Sequence, residues 1–176
     1  MGRPEVDRPE VIPRLRFNIS HTNGLVACVV ASDMDCGVDV EDMTARSDIE
    51  SLSRRILAAP ERAYIATLPE EERLCGFFRF WTLKEAYTKA RGLGFSLPFE
   101  QLRFSWHEDA IRLDIDPSLD DGGQWHLEQW QATPDVMLSV ALRRGQEAFR
   151  GLVRHSSMPC GLGPRMEISF AERKLS

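Results

Sequence analysis

Gly37-Val38-Asp39-Val40-Glu41 alternates apolar and acidic residues with a period of two. This is the pattern of a strand that turns one face to a core and sends carboxylates out from the other. Asp39 and Glu41 then share a face, with Cα atoms about 7 Å apart, close enough for both to reach one hard cation. A lone Asp-Val-Glu fits the solvated face of an edge strand just as readily, so its meaning depends on its surroundings.

Upstream, the run from Phe17 to Ala31 is rich in β-branched and apolar residues and is split by Asn23-Gly24, a pair suited to a tight turn because both accept positive φ. Two strands and a hairpin are predicted there. Downstream, Ser47-Asp48-Ile49-Glu50 fits a capping box, and Ile49, Leu52, Ile56 and Leu57 recur at helical spacing. Pro60 and Pro69 stand where a first-turn proline is tolerated, each followed by glutamate, so two more helices are predicted. The second is long and ends at Gly92 and Gly94. Strand patterns return over residues 102–115 and 124–142, with Asp121-Gly122-Gly123 as a turn between them. Pro4, Pro9 and Pro13 favour an extended opening segment, and residues 144–176 read as a loosely attached tail interrupted by Pro159, Gly161, Gly163 and Pro164.

On the long helix, Leu74, Phe77, Phe78 and Trp81 fall on one face at about 100° per residue, with Glu85 in the middle of it. A carboxylate set among aromatics needs a cation, a hydrogen-bonding partner or an exit to water. Lys89 is one turn away. By spacing alone Glu85 and Lys89 form an ordinary i,i+4 pair where the helix emerges into solvent.

The 176 residues suit one ordinary domain, with 43% hydrophobic and 28% charged residues. A formal charge of -5 and a pI near 5.4 give no general attraction to nucleic acid or anionic membranes, and no run has the length of a membrane span or a signal peptide. Cys28, Cys36, Cys75 and Cys160 contain no C-x-x-C pair, and the histidines are scattered, so zinc spacing is absent and free thiols in a cytoplasmic protein are expected.

Gly37-Val38-Asp39-Val40-Glu41 followed by Trp81-Thr82-Leu83-Lys84-Glu85-Ala86-Tyr87-Thr88-Lys89 resembles the paired signature of 4'-phosphopantetheinyl transferases. Phe17-Asn18-Ile19-Ser20-His21 resembles a further motif of that family, and Gly2-Arg3-Pro4 resembles the segment beside the adenine of coenzyme A in its surfactin-type branch. Four motifs in family order across residues 2–98 are far more specific than any one of them.

The resemblance implies an α+β fold built as a pseudo-dimer of two lobes with coenzyme A in the cleft between them. It divides this chain into a remnant of the N-terminal lobe at residues 1–36, a complete C-terminal lobe at residues 37–143, and the tail from 144 to 176. It implies a magnesium site at Asp39, Glu41 and Glu85, with coenzyme A contacts from Arg3, Ser20, His21, Lys84 and Lys89. His21 also reads as a hydrogen-bonded core histidine, since it continues the Phe17 and Ile19 side of its strand.

The implied reaction is attack by a serine hydroxyl of an apo acyl or peptidyl carrier protein on the β-phosphate of coenzyme A, releasing 3',5'-ADP. Glu85 and Lys89 would be the catalytic residues, with Glu85 as the general base. Arg54, Arg55, Arg62 and Arg79 are candidates for docking an acidic carrier, and also read as ordinary solvated helix charges. The reading set against transfer is a noncatalytic or self-associating form that binds coenzyme A or carrier protein. A magnesium phosphohydrolase using the same carboxylates is a further alternative.

Overall fold

The structure is a computed structural model, and residues 14–44, 49–108 and 110–144 are described, Phe95 by its backbone alone. The hairpin appears as β1 (Leu15–Thr22) and β2 (Leu25–Ser32), antiparallel, and Gly24 turns between them at φ +75°. The acidic strand is β3 (Cys36–Asp42). Three helices follow: α1 (Ile49–Ile56), α2 (Ala59–Thr67) and the long α3 (Glu70–Arg91). The capping box expected before α1 involves Ser47 and Asp48, which lie outside the described residues.

Pro60 stands in the first turn of α2, whereas Pro69 is the N-cap of α3. Gly92 closes α3 in the left-handed conformation at φ 68°, a position where a Cβ would be strained. Beyond two short 3-10 turns, β4 (Leu102–His107) and β5 (Ala110–Ile115) form one hairpin, and β6 (Trp125–Thr133) and β7 (Val136–Arg143) another. The predicted stretches 102–115 and 124–142 therefore each contain two strands.

The sheet that sets the site runs β3-β7-β6, antiparallel throughout, with Asp39 opposite Ser139 and Glu41 opposite Met137. β3 is its edge. Side chains of β1 occupy that edge: Asn18 Oδ1 accepts the Val38 N–H at 3.0 Å and Ser20 Oγ accepts the Val40 N–H at 3.3 Å. Two ladder donors that would face solvent at an open edge are satisfied this way.

α3 lies against β3 and β7 and forms the centre of the core. A single apolar stripe does not describe it. Phe77 and Phe78 are buried as expected, but so are Phe80, Leu83, Lys84, Ala86, Tyr87 and Ala90, while Leu74 is exposed. The reason is that β4 and β5 cover a side of the helix that a one-face wheel assigns to water; Tyr87 meets Phe104 edge-on, and Phe80 meets Trp106. Gly37 permits the close approach of β3 to α3. A Cβ there would stand 2.1 Å from the Ala86 carbonyl oxygen and 2.5 Å from the Ala90 nitrogen, both backbone atoms of the helix.

The other side of the β1–β2 hairpin is open. Alternate residues Asn18, Ser20, Ala27, Val29 and Ala31 are buried, whereas Ile19, Val26 and Val30 are exposed. Among the described residues no helix is long and apolar enough to cross a membrane.

Candidate active site

Pleating of β3 sends Asp39 and Glu41 to the same side, and the helical rise of α3 brings Trp81, Glu85 and Lys89, each one turn from the last, past that side. Lys89 Nζ donates to Asp39 Oδ1 at 2.6 Å and to Ser20 Oγ at 3.2 Å. Ser20 in turn donates to Asp39 Oδ1 at 3.1 Å. Asp39 is 2% exposed, and its second oxygen, Oδ2, is buried without a hydrogen-bond partner. Trp81 Nε1 donates to Glu41 Oε1 at 3.1 Å, which fixes that carboxylate from the helix side.

Crowding three carboxylates into a half-dry site changes their acidity. Burial pushes Asp39 above the usual carboxylate range against the pull of the Lys89 ammonium. Glu41 is raised by burial and by the charge of Asp39. Glu85 is raised to about 7, first by burial and then by Asp39, with Lys89 opposing. The mutual influence of these groups marks them as one electrostatic cluster.

Among the described residues no three histidine, cysteine or acidic side chains stand close enough to ligate one ion together. In this arrangement Lys89 neutralises Asp39. The residues nevertheless suit magnesium: the available donors are all oxygens, the ion's preferred ligands, and Asp39 Oδ2 is a buried acceptor with no hydrogen-bond partner.

One other expected contact is placed differently. Lys84 does not face this cluster. It is completely buried on another side of α3, where Nζ meets Glu61 Oε2 at 2.7 Å, the Phe99 carbonyl at 2.7 Å and the Leu102 carbonyl at 2.5 Å. All three donors of the ammonium are used inside the protein, so its assignment to coenzyme A is corrected. One residue along a helix rotates the side chain by about 100°, which is why Lys84 and Glu85 diverge.

His21 is exposed on the face of β1 opposite Ser20, on the open side of the hairpin, so it is not a core histidine. Arg3 and the Gly2-Arg3-Pro4 motif lie outside the described residues. Of the arginines, Arg54 and Arg55 are exposed on α1, with Arg54 paired to Glu50 at 3.0 Å. Arg62 donates to the Leu57 carbonyl. Arg79 lies 4.0 Å over the Trp106 ring and donates to Gln129, so it serves packing.

Spacing did not reveal the indole–carboxylate bond of Trp81, nor the role of Asn18 along the β3 edge.

The site is thus an acidic edge strand crossed by a helix that supplies a glutamate and a lysine, on an α+β fold. Residues 35–141 match the model of the 4'-phosphopantetheinyl transferase superfamily, and the chain belongs to that family. It is 42% identical over 80 residues to the 4'-phosphopantetheinyl transferase HetI of Nostoc sp., covering 46% of this chain and 34% of that one. It is 30% identical over 130 residues to the 4'-phosphopantetheinyl transferase Sfp of Bacillus subtilis, covering 73% of this chain and 55% of the relative.

Among solved structures, it resembles a holo-(acyl-carrier-protein) synthase from Bacillus anthracis in complex with CoA (3',5'-ADP), at TM-score 0.52 and 19% identity over 62% of this chain and 94% of that one. The Thermotoga maritima holo-[acyl-carrier-protein] synthase also has TM-score 0.52, at 18% identity over 77% of this chain and 84% of that one. These likenesses establish the fold. The chain spans about half the length, or less, of the first curated relatives it matches.

Proposed function

We propose that this chain takes part in moving the 4'-phosphopantetheine group from coenzyme A to a serine hydroxyl of an apo acyl or peptidyl carrier protein, with release of 3',5'-ADP. The observation behind this is the cluster of Asp39, Ser20 and Lys89, with a buried unpartnered oxygen on Asp39, inside the segment that matches the transferase family. The likeness to Sfp favours the surfactin-type branch, and the structural relative described in complex with CoA (3',5'-ADP) favours coenzyme A as the donor.

Asp39, Glu41 and Glu85 would hold magnesium, which when bound would offset negative charge on the diphosphate. Lys89 and Ser20 present a cation and a hydroxyl beside Asp39 and are the phosphate contacts of this reading. Arg3 and His21 are assigned to coenzyme A by their motifs. In the chemical step the serine oxygen forms a bond to the β-phosphorus, the bond from that phosphorus to the oxygen bridging to the α-phosphate breaks, and the serine proton leaves. Glu85 accepts that proton. Without a metal, burial and the charge of Asp39 raise its carboxyl to about 7.

The free thiols of Cys28 and Cys75 suit a reducing cytoplasm, which is where we place the reaction. Self-association belongs to the same proposal.

Incubating the chain with coenzyme A, magnesium and an apo carrier protein tests this. The expected result is a carrier one phosphopantetheinyl group heavier and an equal amount of 3',5'-ADP. Release of inorganic phosphate without a mass gain would replace this reading with a phosphohydrolase. Coenzyme A binding without either product would point to a noncatalytic module.

A further inference from the structure

Glu61 and Lys84 form a buried ion pair that the site described above does not use. Glu61 is in the first turn of α2 and is 2% exposed, and Lys84 is fully buried on α3. The hydrogen bonds of the pair reach several segments. Glu61 Oε2 accepts the Ala58 N–H at 2.8 Å and the Lys84 ammonium at 2.7 Å, while Oε1 accepts the Phe104 N–H of β4 at 2.9 Å. Lys84 spends its other two donors on the Phe99 and Leu102 carbonyls. The entry to α2, the middle of α3, the segment after α3 and the start of β4 therefore meet at one pair of charges.

Such a pair gives little net stability. Removing two charges from water is costly, and burial does pull the Lys84 ammonium below its usual range. A well-packed apolar pair often replaces a buried ion pair at no loss of stability. Charges supply something an apolar pair lacks, because directional bonds fix the rotation and axial position of a helix. Lys84 immediately precedes Glu85, and Trp81 and Lys89 lie within two turns, so a rotation of α3 moves all three site residues relative to β3.

We propose that Glu61 and Lys84 are a positioning pair for the active site: they hold α3 at the rotation that presents Trp81, Glu85 and Lys89 to Asp39 and Glu41. Their role in turnover rests on the transferase reading, but their effect on α3 does not. The Trp81 indole bond to Glu41 spans the interface in question and requires no ligand to be observed.

The test uses the full chain labelled with 15N-tryptophan, comparing wild type, Glu61→Gln and the double variant Glu61→Leu/Lys84→Met, with Trp81→Phe to assign the indole signal. The double variant is expected to melt close to wild type, yet to show a displaced Trp81 Nε1–H resonance with at least tenfold faster solvent exchange and at least a tenfold lower kcat of transfer. Glu61→Gln, which keeps the volume but loses the charge, should displace the same resonance. If either folded variant keeps the wild-type indole signal and kcat, the pair is merely structural and the proposal is overturned. Absence of transfer in the wild type would remove the function proposed above, while the indole signal alone would still decide the positioning claim.

Discussion

Glu85 combines a buried setting, two acidic neighbours and one lysine, and its carboxyl is raised from 4.5 to about 7 as a result. Because the folded value lies above the unfolded one, the native chain holds more protons between these limits. Stability that is full below 4.5 is therefore lost as pH rises through about 7. In the presence of a chelator, the wild type should lose on the order of 1 to 2 kcal/mol more than Glu85→Gln between about pH 5 and about pH 8, after allowing for solvent screening. Thermal unfolding at both pH values checks this, and magnesium should restore most of the loss at the higher pH.

Trp81→Phe should keep the ring contact with Phe77, whose centroid is 5.7 Å away, while freeing Glu41 from the indole N–H. The expected stability loss is about 1 kcal/mol, with a larger proportional fall in transfer, read from a melt and a carrier assay. At this scale the carboxylates were legible because strand and helix periods fix which side chains share a face. Trp81 and Asn18 were not, because a bond between distant residues leaves no periodic mark.

The contact between β3 and α3 decides whether those residues meet at all. Gly37→Ala would drive a methyl into backbone atoms 2.1 and 2.5 Å away, and neither can yield without moving the helix. A destabilisation of about 2 to 4 kcal/mol is expected, with loss of transfer even where the chain remains folded. Circular-dichroism melts paired with the carrier assay separate the two effects. At Gly24, a Cβ would meet nothing within 4 Å, so alanine there should cost only the positive-φ strain of about 1 to 2 kcal/mol and leave transfer intact.

The elements themselves were readable from Asn23-Gly24, Pro60, Gly92 and the alternation of residues 37–41. Where α3 departed from its expected single stripe, the cause was coverage by β4 and β5, which the helix's own sequence does not record. Lys84 shows the same limit. Next to Glu85 in sequence, it looked like part of the same site, yet its partner Glu61 is on another helix.

For the molecule as a whole, the described residues place the Asp39, Glu41, Glu85 and Lys89 cluster beside a hairpin whose far face carries exposed apolar side chains. Ile19 is 50% exposed and Val26 72% exposed there. Val26→Thr should change stability by no more than about 0.5 kcal/mol, because exchanging a methyl for a hydroxyl on a side chain already in water removes little buried contact. A melt of that variant checks the assignment of the hairpin's two faces. The apolar run from Phe17 to Ala31 and its Asn23-Gly24 turn predicted the hairpin, but the Phe17 and Ile19 side, read as a possible core face, carries the exposed Ile19, because burial depends on what packs against the hairpin.

The function proposed above requires that β3 and α3 together hold one divalent cation. Mn2+, a paramagnetic stand-in for magnesium, can be titrated in the presence of coenzyme A and counted by electron paramagnetic resonance for the wild type, Asp39→Asn and Glu85→Gln. One ion per chain is predicted for the wild type, with affinity at least tenfold weaker in each variant. Equal stoichiometry and affinity in all three proteins would contradict a site shared between the strand and the helix.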